Sequence, residues 1–164
     1  MQGAEHAVEF GIQFFPSVGP HEKPADRYWA EALHLTRVAE QLGFTSVRTV
    51  EHYFHPYGGY SPNPLVFLSA AAAVTRSIRL VTGAVLPVFN NPLKLAGEIG
   101  MVDAISGGRL EVGFARAFCR TNSRASVFPW TKAARASRKG SSKSVACLRR
   151  SMSPPKANFI RSRM

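Results

Sequence analysis

The sequence predicts an α/β fold built on a parallel sheet. Four short runs rich in β-branched and aromatic residues alternate with three segments of helical period over residues 8–115. That alternation is the signature of βα units. The polar and glycine-rich departures from this pattern fall just after the runs, at Glu51-His52, Thr82 to Ala84 and Arg116.

The elements follow in order. Residues 8–15, VEFGIQFF, read as a buried strand stopped by Pro16 and Gly19. From Asp26 the period changes: Trp29, Ala32, Leu35, Val38, Ala39 and Leu42 share one helical face, and Gly43 stands where a C-terminal cap belongs. Residues 45–50 are the next strand, leading into the aromatic loop EHYFHPYGGYSPNP. PLVFLSAAAAVTR reads as a wholly buried helix, and IRLVTGAVLPV as the third strand. A helix over residues 92–105 buries Leu93, Ala96, Ile99, Met101 and Val102 before Ser106, Gly107 and Gly108 stop it. RLEVGFA is the fourth strand.

Two folds are built this way, the (β/α)₈ barrel and the doubly wound open sheet. The open sheet usually carries G-x-G-x-x-G after its first strand, where this chain has FFPSVGP, and this favours the barrel. In a barrel, chemistry collects at the carboxyl ends of the strands.

The chain has 164 residues, enough for one domain with a core. Its formal charge of +11 is unevenly placed. Residues 1–118 hold 9 Lys/Arg and 10 Asp/Glu; residues 119–164 hold 12 Lys/Arg, nine Ser and no acid. No apolar run is long enough to span a bilayer, and the N-terminus shows no signal-peptide pattern, so a cytoplasmic protein with no membrane partner is expected. Cys119 and Cys147 have no nearby His, which predicts neither a metal site nor a disulfide framework.

Glu51 and His52 stand first among candidate catalytic residues, since a His beside a carboxylate at a strand end suits proton transfer. The competing role for His52 is packing among Tyr53, Phe54, Tyr57 and Tyr60, and His55 before Pro56 reads as turn packing. Arg116, after the strand end VGFA, suits bidentate pairing with a phosphate or is a surface Arg. The small residues of TGAV, residues 82–85, leave room for a flat ring against the backbone or simply pack.

Taken together, FGIQFF, VRTVEHYFHPYGGYSPNPLVFLSAAAA and GAVLPVFNNPLKLAGEIGMVDAISGGRLEVGFARAF resemble the bacterial luciferase-like flavin monooxygenases over about residues 8–118. The specific pieces are the Glu-His-x-Phe loop, the Asn-Pro pair entering a helix, and the D-x-x-S-G-G-R run from Asp103 to Arg109. The resemblance implies a TIM barrel that binds reduced FMN at its C-terminal face and uses O₂ to oxidise a small organic substrate, often an aldehyde. A flavin reductase would supply the reduced flavin, and relatives using a deazaflavin keep that cofactor open. His52 matches the family's catalytic histidine, with Glu51 beside it. Gly83 and Ala84 match a non-proline cis peptide lying against the isoalloxazine, and Arg116 matches a flavin phosphate ligand. Intact relatives often form homodimers.

The tail departs from that pattern. With permitted codons, inserting one base after codon 118 turns residues 118–140 into FLPNEFARFGVSMDESRARFEEG, an acidic and helix-competent segment like the family's. Residues 1–118 are thus expected to be the N-terminal half of a barrel, and residues 119–164 a basic, disordered frameshift product. A genuine basic arm for nucleic acid is the alternative. Four strands leave an expected apolar inner face and two edges exposed, so the chain is expected to be inactive alone.

Overall fold

In the computed structural model, residues 8–54 and 57–116 are described. Within them, β1 (Gly11–Phe14), α1 (Ala25–Gln41), β2 (Ser46–Thr49), α2 (Pro64–Val74), β3 (Arg79–Thr82), α3 (Pro92–Ser106) and β4 (Leu110–Glu111) follow in the predicted order. All neighbouring strands are parallel, in the order β1-β2-β3-β4. Sequential parallel strands, each reached through a helix, make a partial barrel. The basic tail and both cysteines lie outside the described residues.

The strands are shorter than their apolar runs. Pairing holds only where neighbouring strands stay in register, and the β3–β4 ladder resumes beyond a gap as the Val85–Phe114 bridge. Alternation along each strand sorts the side chains. Ile12, Val47, Leu80 and Leu110 lie in one register row and pack with Phe67, Leu68 and Ile99 of the helices. The next row is Gln13, Arg48, Val81 and Glu111, and all but Val81 are exposed. The sheet face turned away from the helices is therefore polar, which corrects the expectation of an apolar inner face. Alternation gives Gln, Arg and Glu to that face.

The helix ends follow their chemistry. Asn63 and Asn91 are N-caps, each followed by Pro at the first helical position; Asn63 accepts from Leu65 N (3.0 Å), and Asn91 from Leu93 N (2.9 Å) and Lys94 N (3.2 Å). The Asn-Pro pairs are thus helix starts in the literal sense. Gly43, at φ 83°, closes α1 with Gly43 N donating to Glu40 O (3.1 Å) and Phe44 N to Ala39 O (2.9 Å). This is a Schellman end, where a left-handed residue is needed. Gly107 and Gly108 end α3 in the same left-handed region.

Burial corrects three expectations. In α3 the buried set is Leu95, Ala96, Ile99, Val102, Asp103 and Ser106, so Leu93 and Met101 turn outward at 73% and 67% exposure. In α1, Ala32, Thr36 and Ala39 are buried while Leu35 and Leu42 are exposed. Helix α2 is not wholly buried: Val66, Ala70, Ala73 and Val74 face outward. Helix α1 packs inward through one narrow stripe and α2 through a broader one, and the outer sides have no covering layer among the described residues.

Two long-range clamps hold the far ends of the helices. Glu40, on the last turn of α1, accepts from Arg76 N, Ser77 N and Ile78 N at 2.7 to 3.1 Å and from Ser77 Oγ (3.1 Å). Burial pushes its carboxyl up, but the Ser77, Ile78 and Arg76 N–H donors win and hold it at about 2. A lowered folded-state pKa contributes stability that is present above pH 4.5 and is lost as the pH falls toward 2. Glu40→Gln is therefore expected to lower stability at pH 7 and to shrink the loss between pH 5 and 2, measured by urea unfolding; unchanged acid sensitivity would remove Glu40 from the acid response.

The second clamp is Arg109. Its Nη2 donates to Ala72 O (3.1 Å) and Thr75 O (3.3 Å) at the end of α2. Nη1 donates to Thr75 Oγ1 (3.0 Å) and Ile78 O (2.9 Å), and Nε to Ser106 O (2.8 Å) at the end of α3. One guanidinium thereby serves two helix C-termini, where a positive charge is favoured.

Candidate active site

The carboxyl edge of the sheet gathers the residues that the sequence singles out. Thr49 of β2 pairs with Thr82 of β3, so Glu51-His52 and Gly83-Ala84 leave from neighbouring strand ends. Phe114 bridges Val85, which sets Arg116 beyond the end of β4 on the same edge. His52, Gly83, Ala84 and Arg116 are thus brought to one rim by parallel register alone.

The loop carrying His52 is built by its own hydrogen bonds. His52 N donates to Ser61 O (2.9 Å), Phe54 N to Gly59 O (3.2 Å) and Ser61 N to Gly58 O (3.1 Å). Ser61 Oγ donates to Val50 O (2.6 Å) and lies 3.3 Å from Thr49 Oγ1, tying the loop back to β2. The His52 ring is half-buried and meets Phe15 and Tyr57 edge-on, with centroids 5.3 and 5.4 Å away. Phe15 and Tyr57 meet each other at 4.7 Å. The aromatic rings thus hold the imidazole in place at the rim, so packing does not draw it away from the strand ends.

Gly58, one of two adjacent loop glycines with nothing in the sequence to single it out, seats His52. At φ 77° a Cβ there would meet three His52 side-chain carbons at 3.1 to 3.3 Å. Only the combination of left-handed backbone and ring contact reveals this, and neither shows in a single Gly letter. Gly58→Ala is expected to shift the His52 ring and to cost about 1–2 kcal/mol, measured by His52 NMR shifts together with urea unfolding; an unmoved ring would show that the loop absorbs the extra carbon.

Gly83 has a different reason for being glycine. Its N donates to Thr49 O (2.5 Å), and a Cβ would stand 2.6 Å from that oxygen. Its other side is exposed, and Ala84 beside it is half-buried. The Gly83–Ala84 peptide, expected to be cis, is trans, and no cis bond occurs among the described residues. Beyond the bend at Gly83, Val85 N donates to Gly113 O (2.8 Å) and Ala115 N to Val85 O (3.0 Å), which carries the ladder past the end of β3.

Glu51 is 4% exposed and turns toward the segment after β3. Oε1 accepts from Tyr53 Oη (2.5 Å) and Asn90 Nδ2 (3.2 Å), and Oε2 from Leu86 N (2.7 Å). Burial raises its pKa to about 7, with those three donors opposing and the Glu98 carboxylate adding to the rise. Tyr53 is raised in turn, by burial and then by the Glu51 charge. Arg116 is exposed, and among the described residues no carboxylate lies within ion-pair distance of it. Among the described residues there is also no group of three or more His, Cys, Asp or Glu suited to a metal ion, and no helix is long and apolar enough to cross a membrane.

Residues 8–130 match the family described as luciferase-like monooxygenase. The match runs past residue 118, where the composition changes. Among solved structures, monooxygenase RslO1 from Streptomyces bottropensis is 53% identical with a TM-score of 0.81, over 87% of this chain and 42% of that one. The oxygenating constituent of 3,6-diketocamphane monooxygenase from Pseudomonas putida, solved in complex with FMN, is 26% identical with a TM-score of 0.75, over 82% and 37%. The coenzyme F420-dependent tetrahydromethanopterin reductase from Methanopyrus kandleri is 30% identical with a TM-score of 0.57, over 75% and 31%. The chain spans 31% and 24% of the length of two curated relatives that it matches.

Proposed function

Because the chain belongs to the luciferase-like monooxygenase family, we propose that it carries the flavin-facing part of a monooxygenase that uses reduced FMN and O₂ to oxidise a small organic substrate. The observation that carries this reading is the convergence of His52, Gly83, Ala84 and Arg116 on one rim of a parallel sheet. The residues there fit a flavin nucleotide. Exposed backbone at Gly83 beside a small Ala84 leaves room for a flat ring, and the Arg116 guanidinium matches a phosphate in bidentate fashion. When bound, the flavin supplies electron transfer and the activation of O₂. His52 holds or passes a proton at a ring nitrogen, and Phe15 and Tyr57 keep water from one side of the imidazole.

An aldehyde is the substrate class we put forward, with a separate flavin reductase as the source of reduced cofactor and the cytoplasm as the setting. The likeness to the F420-dependent reductase favours a second reading, in which a deazaflavin takes the same rim. A second copy of the chain is the occupant proposed for the outer side of α2, whose eleven residues include no charged one. Size-exclusion chromatography tests this, and a monomer at all concentrations would refute it.

The 164-residue chain supplies four parallel strands among its described residues and covers 42% of the Streptomyces bottropensis enzyme. It is therefore expected to bind FMN without turning over. Saturable quenching of oxidised FMN fluorescence, with no aldehyde-dependent O₂ uptake above that of free reduced FMN, is the expected pair of results, and Arg116→Ala should weaken binding about tenfold. Absence of FMN quenching, or quenching of a deazaflavin's fluorescence but not FMN's, would overturn the FMN assignment; aldehyde-dependent O₂ uptake above the free-flavin rate would overturn the inactivity.

We also infer that residues 119–164 arise from a shifted reading frame. Resequencing the DNA around codon 118 is expected to find one missing base. A confirmed sequence with DNA binding that weakens steeply as salt rises would instead support a nucleic-acid arm.

A further inference from the structure

We propose that Glu51 is a positioning residue, a tie that fastens the His52 loop to the turn after β3 and so fixes where the imidazole stands on the rim. Its functional meaning rests on the flavin-site reading above, whereas the tie itself stands on geometry. Three donors converge on one buried carboxylate: Tyr53 Oη from the His52 loop, and Leu86 N and Asn90 Nδ2 from a segment 35 and 39 residues away. That segment is itself closed, with Phe89 N donating to Leu86 O (3.1 Å), Asn90 N to Pro87 O (3.3 Å) and Asn90 Nδ2 to Leu86 O (3.0 Å). The Tyr53 ring packs edge-on against Phe89 at 5.6 Å, so polar and aromatic contacts join the same two pieces of chain.

The chemistry selects a carboxylate. An ionised Glu accepts through both oxygens and donates nothing, which suits three converging N–H and O–H groups. A glutamine would turn an NH₂ toward one of those donors. A proton on Glu51 does the same, replacing an acceptor by a donor. The groups facing Glu51 are Tyr53 on its own loop and Glu98 on α3, with His52 next in the chain. The Glu98 charge and burial both favour the proton, and the three donors oppose it. His52 is one peptide bond away, so movement of the tie is movement of the catalytic candidate.

The test is an NMR pH titration of the ¹⁵N-labelled 164-residue chain, which reads the tie without any flavin. The Leu86 amide is expected to titrate with a midpoint near 7. In Glu51→Gln this titration should vanish, the His52 ring signals should move, and Leu86 hydrogen exchange should quicken about tenfold. The Val47 and Leu80 amides, in the core, report that the fold is retained. A Glu51→Gln variant whose Leu86 amide and His52 ring signals keep their wild-type positions would overturn the assignment. Should Glu51→Gln fail to fold, Asn90→Ala, which removes one of the three donors, decides it through the same Leu86 and His52 signals. Leu86 and His52 signals that move in Glu51→Gln, in a chain that binds no FMN, would sink the flavin reading and leave the tie; unmoved signals in a chain that binds FMN would do the reverse.

Discussion

Arg109→Ala is expected to lower the unfolding free energy by about 3 kcal/mol, as much as truncating a buried core leucine. The substitution removes donors to Ala72 O, Thr75 O, Thr75 Oγ1, Ile78 O and Ser106 O together. A typical hydrogen bond contributes about 1 kcal/mol net, but carbonyls left without a partner at a partly buried helix end cost more than the mean. Charge alone does not explain the site. Arg109→Lys keeps a cation near both helix ends but cannot reach α2, the start of β3 and α3 at once, so it should recover no more than about a third of the loss. Urea midpoints of the three proteins measure this. Full recovery by lysine would mean that the helix dipoles, not the fork, are what Arg109 serves.

The second large effect is a pH dependence traced to Glu51. Its folded-state pKa is raised from 4.5 to about 7, chiefly by burial. An acid whose pKa rises on folding favours the folded state most when protonated. The stability it contributes is complete below pH 4.5 and is lost as the pH rises through 7. At about 1.4 kcal/mol per pH unit, the difference between wild type and Glu51→Gln should change by about 3 kcal/mol between pH 4 and 8. Wild type loses ground to the variant as the solution becomes more alkaline. Taking the difference cancels other titrating groups, and urea unfolding at a series of pH values supplies it. Parallel pH curves for the two proteins would show that Glu51 does not change its ionisation across this range.

What was legible in the sequence was whatever acts locally. The order of strands and helices, the left-handed Gly43 and the stop at Gly107 each follow from residues within one turn of the feature. The rim residues were legible too, because a residue following a strand in a parallel sheet has only one edge on which to lie. Contacts across 30 or more positions left no periodic trace. Glu40 reaching Ile78, Arg109 reaching Ala72 and Glu51 reaching Leu86 are each set by packing rather than by spacing. The errors in α3 have a related origin. Leu93 and Met101 are apolar letters on a helix, and only the docked helix shows which stripe meets the sheet.

The open face of the sheet also bears on how a cylinder of this kind would close. Gln13, Arg48 and Glu111 are hydrated groups, so enclosing them strips water from charge, a cost to be met by new partners across the lumen. Little oily surface is hidden in that step, and collapse cannot drive it. Among the described residues β1 and β4 are the outer strands, so the cohesion must come instead from backbone pairing along their outer sides. Added salt or a kosmotrope should do little to assemble such halves, whereas a single proline in either outer strand should prevent it.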